Sequence, residues 1–175
     1  MLGRLVEAVE CARSKAMARK DKAAAKASGF KSSVLQNATD WKISADLPNM
    51  RIYPDVIKKS NVRPDMVLVS EKSKTVVVIE LTVPFESNMG ESHEFKLAKY
   101  EELMADLHKS GYKSQIFAIE VEARGLVGAT AYILLKRLGH ASKERKKYLK
   151  QVGEAAEKAS HWIWLKRNEK TWTNQ

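Results

Sequence analysis

Apolar and polar positions change period several times along this chain. Leu2, Leu5, Val9 and Ala12 recur near helical spacing among Ala, Lys, Arg and Glu, which predicts one long helix from Leu2 to about Ala27, stopped near Ser28-Gly29. Ser32 to Asp40 has no clear period and reads as a loop or a poorly ordered turn. Trp41 to Leu47 reads as a short strand ended by Pro48-Asn49, and Pro54 and Pro64 punctuate an irregular connection. Asp65 to Ser70 and Thr75 to Val83 are strands, joined by the turn EKSK. GESHEFKLAKYEELMADLHKSG predicts one helix, with Ser92 as N-cap and Gly111 as stop signal. Ser114 to Glu122 is a fourth strand, Gly125 to Leu138 a helix closed by Gly139, and Ser142 to about Ser160 a helix with a basic start. The tail HWIWLKRNEKTWTNQ is amphipathic and predicts a short final strand.

The resulting order is helix, three strands, helix, strand, helix. A strand–helix–strand connection with a long crossover implies parallel pairing, so the expected α/β fold is a mixed sheet flanked by helices. With no repeat or linker in its 175 residues, the chain reads as a single domain. Within it lie an N-terminal helix (1–28), a core (41–139), and a basic C-terminal helix and tail (140–175).

Charge changes the picture more than composition does. The net charge is +10, and it is unevenly placed: residues 1–31 carry +5 and residues 136–150 carry +6, while residues 61–110 carry −3. An acidic centre between basic segments suits a polyanion binder with a cation site, although basic helices are often simply solvated faces. No run approaches the roughly 18 apolar residues of a membrane span. The N-terminal pattern carries charge and is not a secretory signal. A single cysteine, Cys11, excludes an internal disulfide and a cysteine-based zinc site, and points to a reducing compartment, cytosol or nucleus.

Two acids stand in the most apolar part of the chain. In Thr75–Val83, Val77, Ile79, Leu81 and Val83 share one face, and Val76, Val78, Glu80 and Thr82 share the other. Asp65 opens the preceding strand after Pro64. If the two strands pair as a hairpin, their far ends meet and Asp65 comes close to Glu80. Two adjacent carboxylates repel unless a cation lies between them, and oxygen-only ligation suits Mg²⁺ or Mn²⁺. The bland alternative is a salt-bridged strand glutamate.

The next helix adds a lysine. Leu97, Tyr100, Leu103, Met104 and Leu107 define an apolar stripe, and Lys96 projects about 45° from its centre, whereas Lys99 lies about 100° away. Lys96 is therefore aimed at the sheet, where it can stabilise charge developing on a phosphate; snorkelling to water is its ordinary fate. His93 falls on the apolar stripe and reads as packed. His108, His140 and His161 show no metal spacing. Trp162 and Trp164 share a face if the tail is a strand and read as core or cover residues, with base stacking the alternative.

With these residues in place, the sequence resembles a known family. Pro64-Asp65, fourteen intervening residues and then Glu80 between two apolar arms is similar to the core of the PD-(D/E)xK nuclease superfamily, whose αβββαβ order matches the one predicted. RPDMVLVSE…VVVIELTVPFE, KLAKYEEL, IEVEARGLVG and SHWIWLKR more closely resemble the restriction-like endonuclease domain of non-LTR retrotransposon proteins. The superfamily pattern places a lysine at position 82, where this chain has Thr82. In the retrotransposon group the lysine comes from the following helix in a Lys-x-x-(Lys/Arg)-Tyr motif, which Lys96, Lys99 and Tyr100 match.

The resemblance implies a restriction-endonuclease-like fold and a divalent-metal-dependent DNA endonuclease. Asp65 and Glu80, helped by the backbone carbonyl of Leu81, would bind Mg²⁺ or Mn²⁺. Lys96 would orient the attacking water and offset charge. The product would be a nick with a 3′-hydroxyl that a reverse transcriptase extends. Arg63, Lys99, Tyr100 and Arg124 are candidate DNA contacts, and Glu7 or Glu10 a candidate outer-shell acid. Implied partners are DNA and a reverse transcriptase domain or element RNA, with no membrane, a homodimer left open, and the nucleus favoured over the cytosol. The KERKK cluster, Lys143 to Lys147, reads equally as a grip on the DNA backbone, a nuclear import signal or a solvated helix start. The rivals are a non-cleaving nucleic-acid-binding module of the same fold, kept alive by Thr82, and a cellular repair or junction nuclease.

Overall fold

Four strands form the layer on which the helices pack. The computed structural model describes residues 1–22, 33–58, 62–84 and 89–169. Strands β1 (Lys42–Ala45), β2 (Met66–Ser70), β3 (Thr75–Thr82) and β4 (Lys113–Glu120) lie side by side in that order. β1–β2 and β2–β3 are antiparallel, and β3–β4 is parallel. The sheet is therefore mixed, as the long crossover requires. The EKSK turn closes the β2–β3 hairpin, with Lys74 at φ 47°, a left-handed position that ends the reversal.

Helices cover both faces. α1 (Leu2–Lys22), α5 (Ala129–Arg137) and α6 (Ser142–Lys166) lie on one side. There Leu5, Val9, Leu134, Leu138 and Val152 close over Leu68, Val77, Ile79 and Ile119. The other side carries the single turn α2 (Asp55–Lys58), α3 (Met89–Lys99) and α4 (Glu101–Lys109). Here a smaller cluster joins Tyr53, Ile57, Tyr100, Leu103 and Leu107 to Val67, Val69, Val76 and Val78. The alternation read from the sequence puts Val77 and Ile79 on the first face and Val76 and Val78 on the second, as observed.

Several expectations are corrected. The segment after Ser32 is an ordered turn, not a poorly ordered one: Val34–Asn37 form a 3₁₀ turn capped by the Ser33 hydroxyl, which accepts from the Leu35 N–H, and buried Leu35 anchors it. The single helix expected before Gly111 is two, broken at Tyr100, whose φ −102° and ψ 3° leave the helical region. That helix begins at Met89, so Ser92 lies inside it and not at its cap. The helix expected from Gly125 begins at Ala129, after the turn that holds Gly125 in a left-handed conformation.

The described part of the tail, residues 161–169, is not a strand. α6 runs to Lys166, because no Gly or Pro follows Gly153 in that stretch to stop it. Trp162 and Trp164 are 53% and 58% exposed, so they are not core residues. The predicted end of the first helix near Ser28-Gly29 lies outside the described residues. No helix among the described residues is long and apolar enough to cross a membrane.

Candidate active site

The β2–β3 ladder ends at the pair Met66–Ile79, and beyond it side chains take over the backbone's hydrogen bonding. The Leu81 N–H donates to Asp65 Oδ2 at 2.7 Å, and the Asp65 N–H donates to Glu80 Oε2 at 3.2 Å. Each carboxylate thus satisfies a main-chain donor of the neighbouring strand, which locks both acids at one end of the sheet. Pro64, with no N–H of its own, brings the chain into β2 just before Asp65, and its carbonyl accepts from the Tyr53 hydroxyl at 2.7 Å.

Glu80 is 3% exposed among valines, so its charge needs partners. Lys96 Nζ lies 2.5 Å from Glu80 Oε1 and Lys99 Nζ 3.4 Å from the same oxygen. The Tyr100 hydroxyl sits 2.7 Å from Glu80 Oε2 and 3.1 Å from the Arg63 carbonyl. It has one proton to give, and the charged acceptor at the shorter distance takes it. Burial alone would raise the Glu80 carboxyl. The hydrogen bonds from Lys96 and Tyr100, with the charges of both lysines, overcome it and hold the group below the usual carboxylate range.

Asp65 is the opposite case. Burial, with the nearby Glu80 charge, pushes its carboxyl up, although the Leu81 N–H and the two lysines act against this. Its Oδ1 accepts no hydrogen bond among the described residues. An acid raised by desolvation and a like charge, with one oxygen uncommitted, is what a cation would relieve.

Among the described residues no group of three or more His, Cys, Asp or Glu side chains could form a protein cage. Mg²⁺ does not need one: it is commonly held by one or two carboxylates and completed by water and substrate phosphate. Asp65 and Glu80, with the Leu81 carbonyl, fit an ion of that kind. Glu80 would have to share oxygens that Lys96 and Tyr100 already occupy.

The remaining candidate residues divide. Lys99 joins the cluster and also lies over the Tyr100 ring, 4.9 Å from its centroid. Arg63 reaches the cluster only through its carbonyl, its guanidinium lying 5.4 Å from the Tyr53 ring centroid. Tyr100 is fully buried and cannot touch DNA; its hydroxyl serves Glu80 instead, a correction to its candidate role. Arg124 is exposed on the turn after β4, with Nε 2.8 Å from Glu122 Oε1. Glu7 and Glu10 are not brought in. α1 packs against the other face of the sheet, and Glu7 pairs with Arg4 at 3.0 Å.

Leu97 is 37% exposed and leaves the proposed stripe, because the break at Tyr100 ends the regular 100° rotation that placed it there. His93 is not packed among apolar groups either. Its Nδ1 meets Glu120 Oε1 at 2.6 Å. The sequence holds a signal for this pair in IFAIEVE, which sets an acid at the end of an apolar strand just as VVVIEL does. No family model matches the chain, and no curated protein matches it.

Proposed function

We propose that this chain is a divalent-cation-dependent DNA endonuclease with a restriction-endonuclease-like αβββαβ core, of the type found in non-LTR retrotransposon proteins. The observation that supports it best is the meeting of Asp65, Glu80 and Lys96, from three separate elements, where the β2–β3 ladder ends. Such a set costs folding energy in an apolar layer, and phosphodiester hydrolysis is the chemistry that uses all three members.

In this reading Asp65 and Glu80 would hold the cation. A Mg²⁺ or Mn²⁺ ion there would supply a lowered water pKa and positive charge against the phosphate. Lys96, paired with Glu80, sets a positive charge against the developing negative charge on phosphorus. Tyr100 keeps Glu80 in place. Lys99 and Arg124, with the basic N-terminal and C-terminal segments, supply charge for the DNA backbone. A 3′-hydroxyl product would serve as primer for a reverse transcriptase, in the nucleus.

One observation favours a second reading, a module that binds nucleic acid without cutting. Both Glu80 oxygens are already engaged by Lys96, Lys99, Tyr100 and the Asp65 N–H, so the acid is satisfied with no ion. Supercoiled plasmid incubated in Mg²⁺, Mn²⁺ or EDTA, beside Asp65→Ala, separates the two. Metal-dependent relaxation that the variant lacks is the expected result. Tight, salt-sensitive binding with no cut under either metal establishes the binding module instead.

A further inference from the structure

A second buried carboxylate lies on the same face as Glu80. The parallel register sets Ala118 beside Glu80 and Glu120 beside Thr82, so the Glu120 side chain emerges on the α3 side of the sheet. Glu120 is 5% exposed, and its described side-chain partner is His93 Nδ1, 2.6 Å away. His93 lies one helical turn before Lys96. The two side chains descend in step onto adjacent strands, His93 to Glu120 and Lys96 to Glu80. Room for the acid is made by Gly128: a Cβ there would come 3.0 Å from Glu120 Oε2 and 3.2 Å from the Glu120 carbonyl oxygen. The chain thus carries a His–Glu dyad beside the Asp65–Glu80–Lys96 cluster.

The dyad has a defined chemistry. An ionised carboxylate only accepts, so Nδ1 carries the proton and the free lone pair of the neutral ring is on Nε2. The His93 side chain is 35% exposed, enough for that edge to meet solvent. Lys96 cannot serve as a base while its ammonium is paired with Glu80 at 2.5 Å, because all its protons are donors.

We infer that His93, oriented by Glu120, is the general base of the nicking reaction, an inference that rests on the nuclease reading above. The water oxygen bonds to phosphorus as the P–O3′ bond breaks, and the water proton passes to His93 Nε2. The departing O3′ keeps the bonding electron pair and takes a proton from solvent, which gives a 5′-phosphate and a 3′-hydroxyl. The imidazolium then returns its proton to solvent. Glu120 is a positioning residue: it fixes the tautomer and supports the charged ring.

The test has two parts. Ring-nitrogen NMR on the metal-free protein should show His93 protonated at Nδ1 with Nε2 bare, and Glu120→Gln should abolish that preference; an Nε2-protonated ring overturns the inference. In nicking kinetics, His93→Ala should lower kcat about 100-fold with DNA affinity unchanged, and added imidazole should restore at least about tenfold. His93→Gln keeps a hydrogen bond to Glu120 but takes no proton, so it should be as slow as His93→Ala. Full activity in His93→Gln, or a loss confined to DNA affinity, marks the dyad as a structural clamp and overturns the inference. If the parent cuts and Asp65→Ala does not while His93→Ala cuts normally, this inference alone fails. A folded parent that never cuts overturns the nuclease reading and this inference with it.

Discussion

The two faces of β3 are made by alternate residues of one strand, yet they do different work. On one face Val77 and Ile79 enter a large cluster fed by three helices, and among the described residues that cluster has no buried acid on β3. On the other face Val76 and Val78 enter a smaller cluster that ends in Glu80, with Asp65, Lys96 and Tyr100 gathered around it. Each buried aliphatic side chain on the first face contributes about 1.5–3 kcal/mol through area removed from water. On the second, part of that gain offsets the cost of a buried carboxylate. The first face supports the fold, and the second sets a buried carboxylate against it.

If this contrast holds, damage to the first face should be the most destabilising. Ile79→Ala, at a residue with no exposure, should lower unfolding free energy by about 2–5 kcal/mol in a urea titration. An equal loss for Leu107→Ala would mean that the two faces share the load evenly, and a larger one that the contrast is reversed.

Next in size, Asp65→Asn should separate activity from stability. It should lower metal-dependent nicking at least about 100-fold, since even outer partners of metal ligands cost up to that much. In EDTA its melting temperature should rise, because a carboxyl pKa raised by folding means that ionising Asp65 opposes folding, and Asn removes that charge. A variant that melts lower than the parent without metal would show that the pair is structurally useful.

Tyr100→Phe removes one donor from Glu80 and should cost about 1 kcal/mol. Glu80 should then titrate higher, since its depressed pKa owes part of its value to that hydroxyl. The sign is set by the direction of the shift. The stability that Glu80 contributes is present above its unfolded pKa and lost as pH falls through the lower folded value, and the variant should lose it at a higher pH. Carboxyl-resolved NMR of parent and variant would register the change.

The smallest effect belongs to the far side, where Lys15 of α1 pairs with Glu144 of α6. The Lys15 hydrogen bond, working against burial, brings the Glu144 carboxyl from 4.5 to about 2. Both side chains are more than a third exposed, and solvent screening leaves Glu144→Gln a cost below about 1 kcal/mol at pH 7. Parent and variant should converge as pH falls from 4.5 towards 2. A difference that persists at low pH would assign the effect to packing rather than charge.

Much of the second face was legible in the chain. The strand alternation separated Glu80 from Ile79, and the hairpin reading brought Asp65 to Glu80. The helical wheel aimed Lys96 at the sheet, and Lys96 does meet Glu80. Tyr100 shows where that reasoning stopped. A wheel assumes an unbroken helix, and the break at Tyr100 both exposes Leu97 and turns the tyrosine hydroxyl to the acid. The tail misled for a related reason: the spacing of Trp162 and Trp164 fits a strand face, while the absence of a breaker after Gly153 lets α6 continue.

The sequence by itself determined the elements whose periods are local: most helices and strands, the two faces of β3, and which charges fell on an apolar side. The tertiary structure alone decided the register of β3 against β4, which sets Glu120 beside Thr82 and within reach of His93. It also decided that α1 lies against the opposite face from Glu80, which keeps Glu7 and Glu10 out of the site. Period is carried by neighbours in the chain. Register and layer order are settled by how distant apolar faces close on one another, and no local pattern records that.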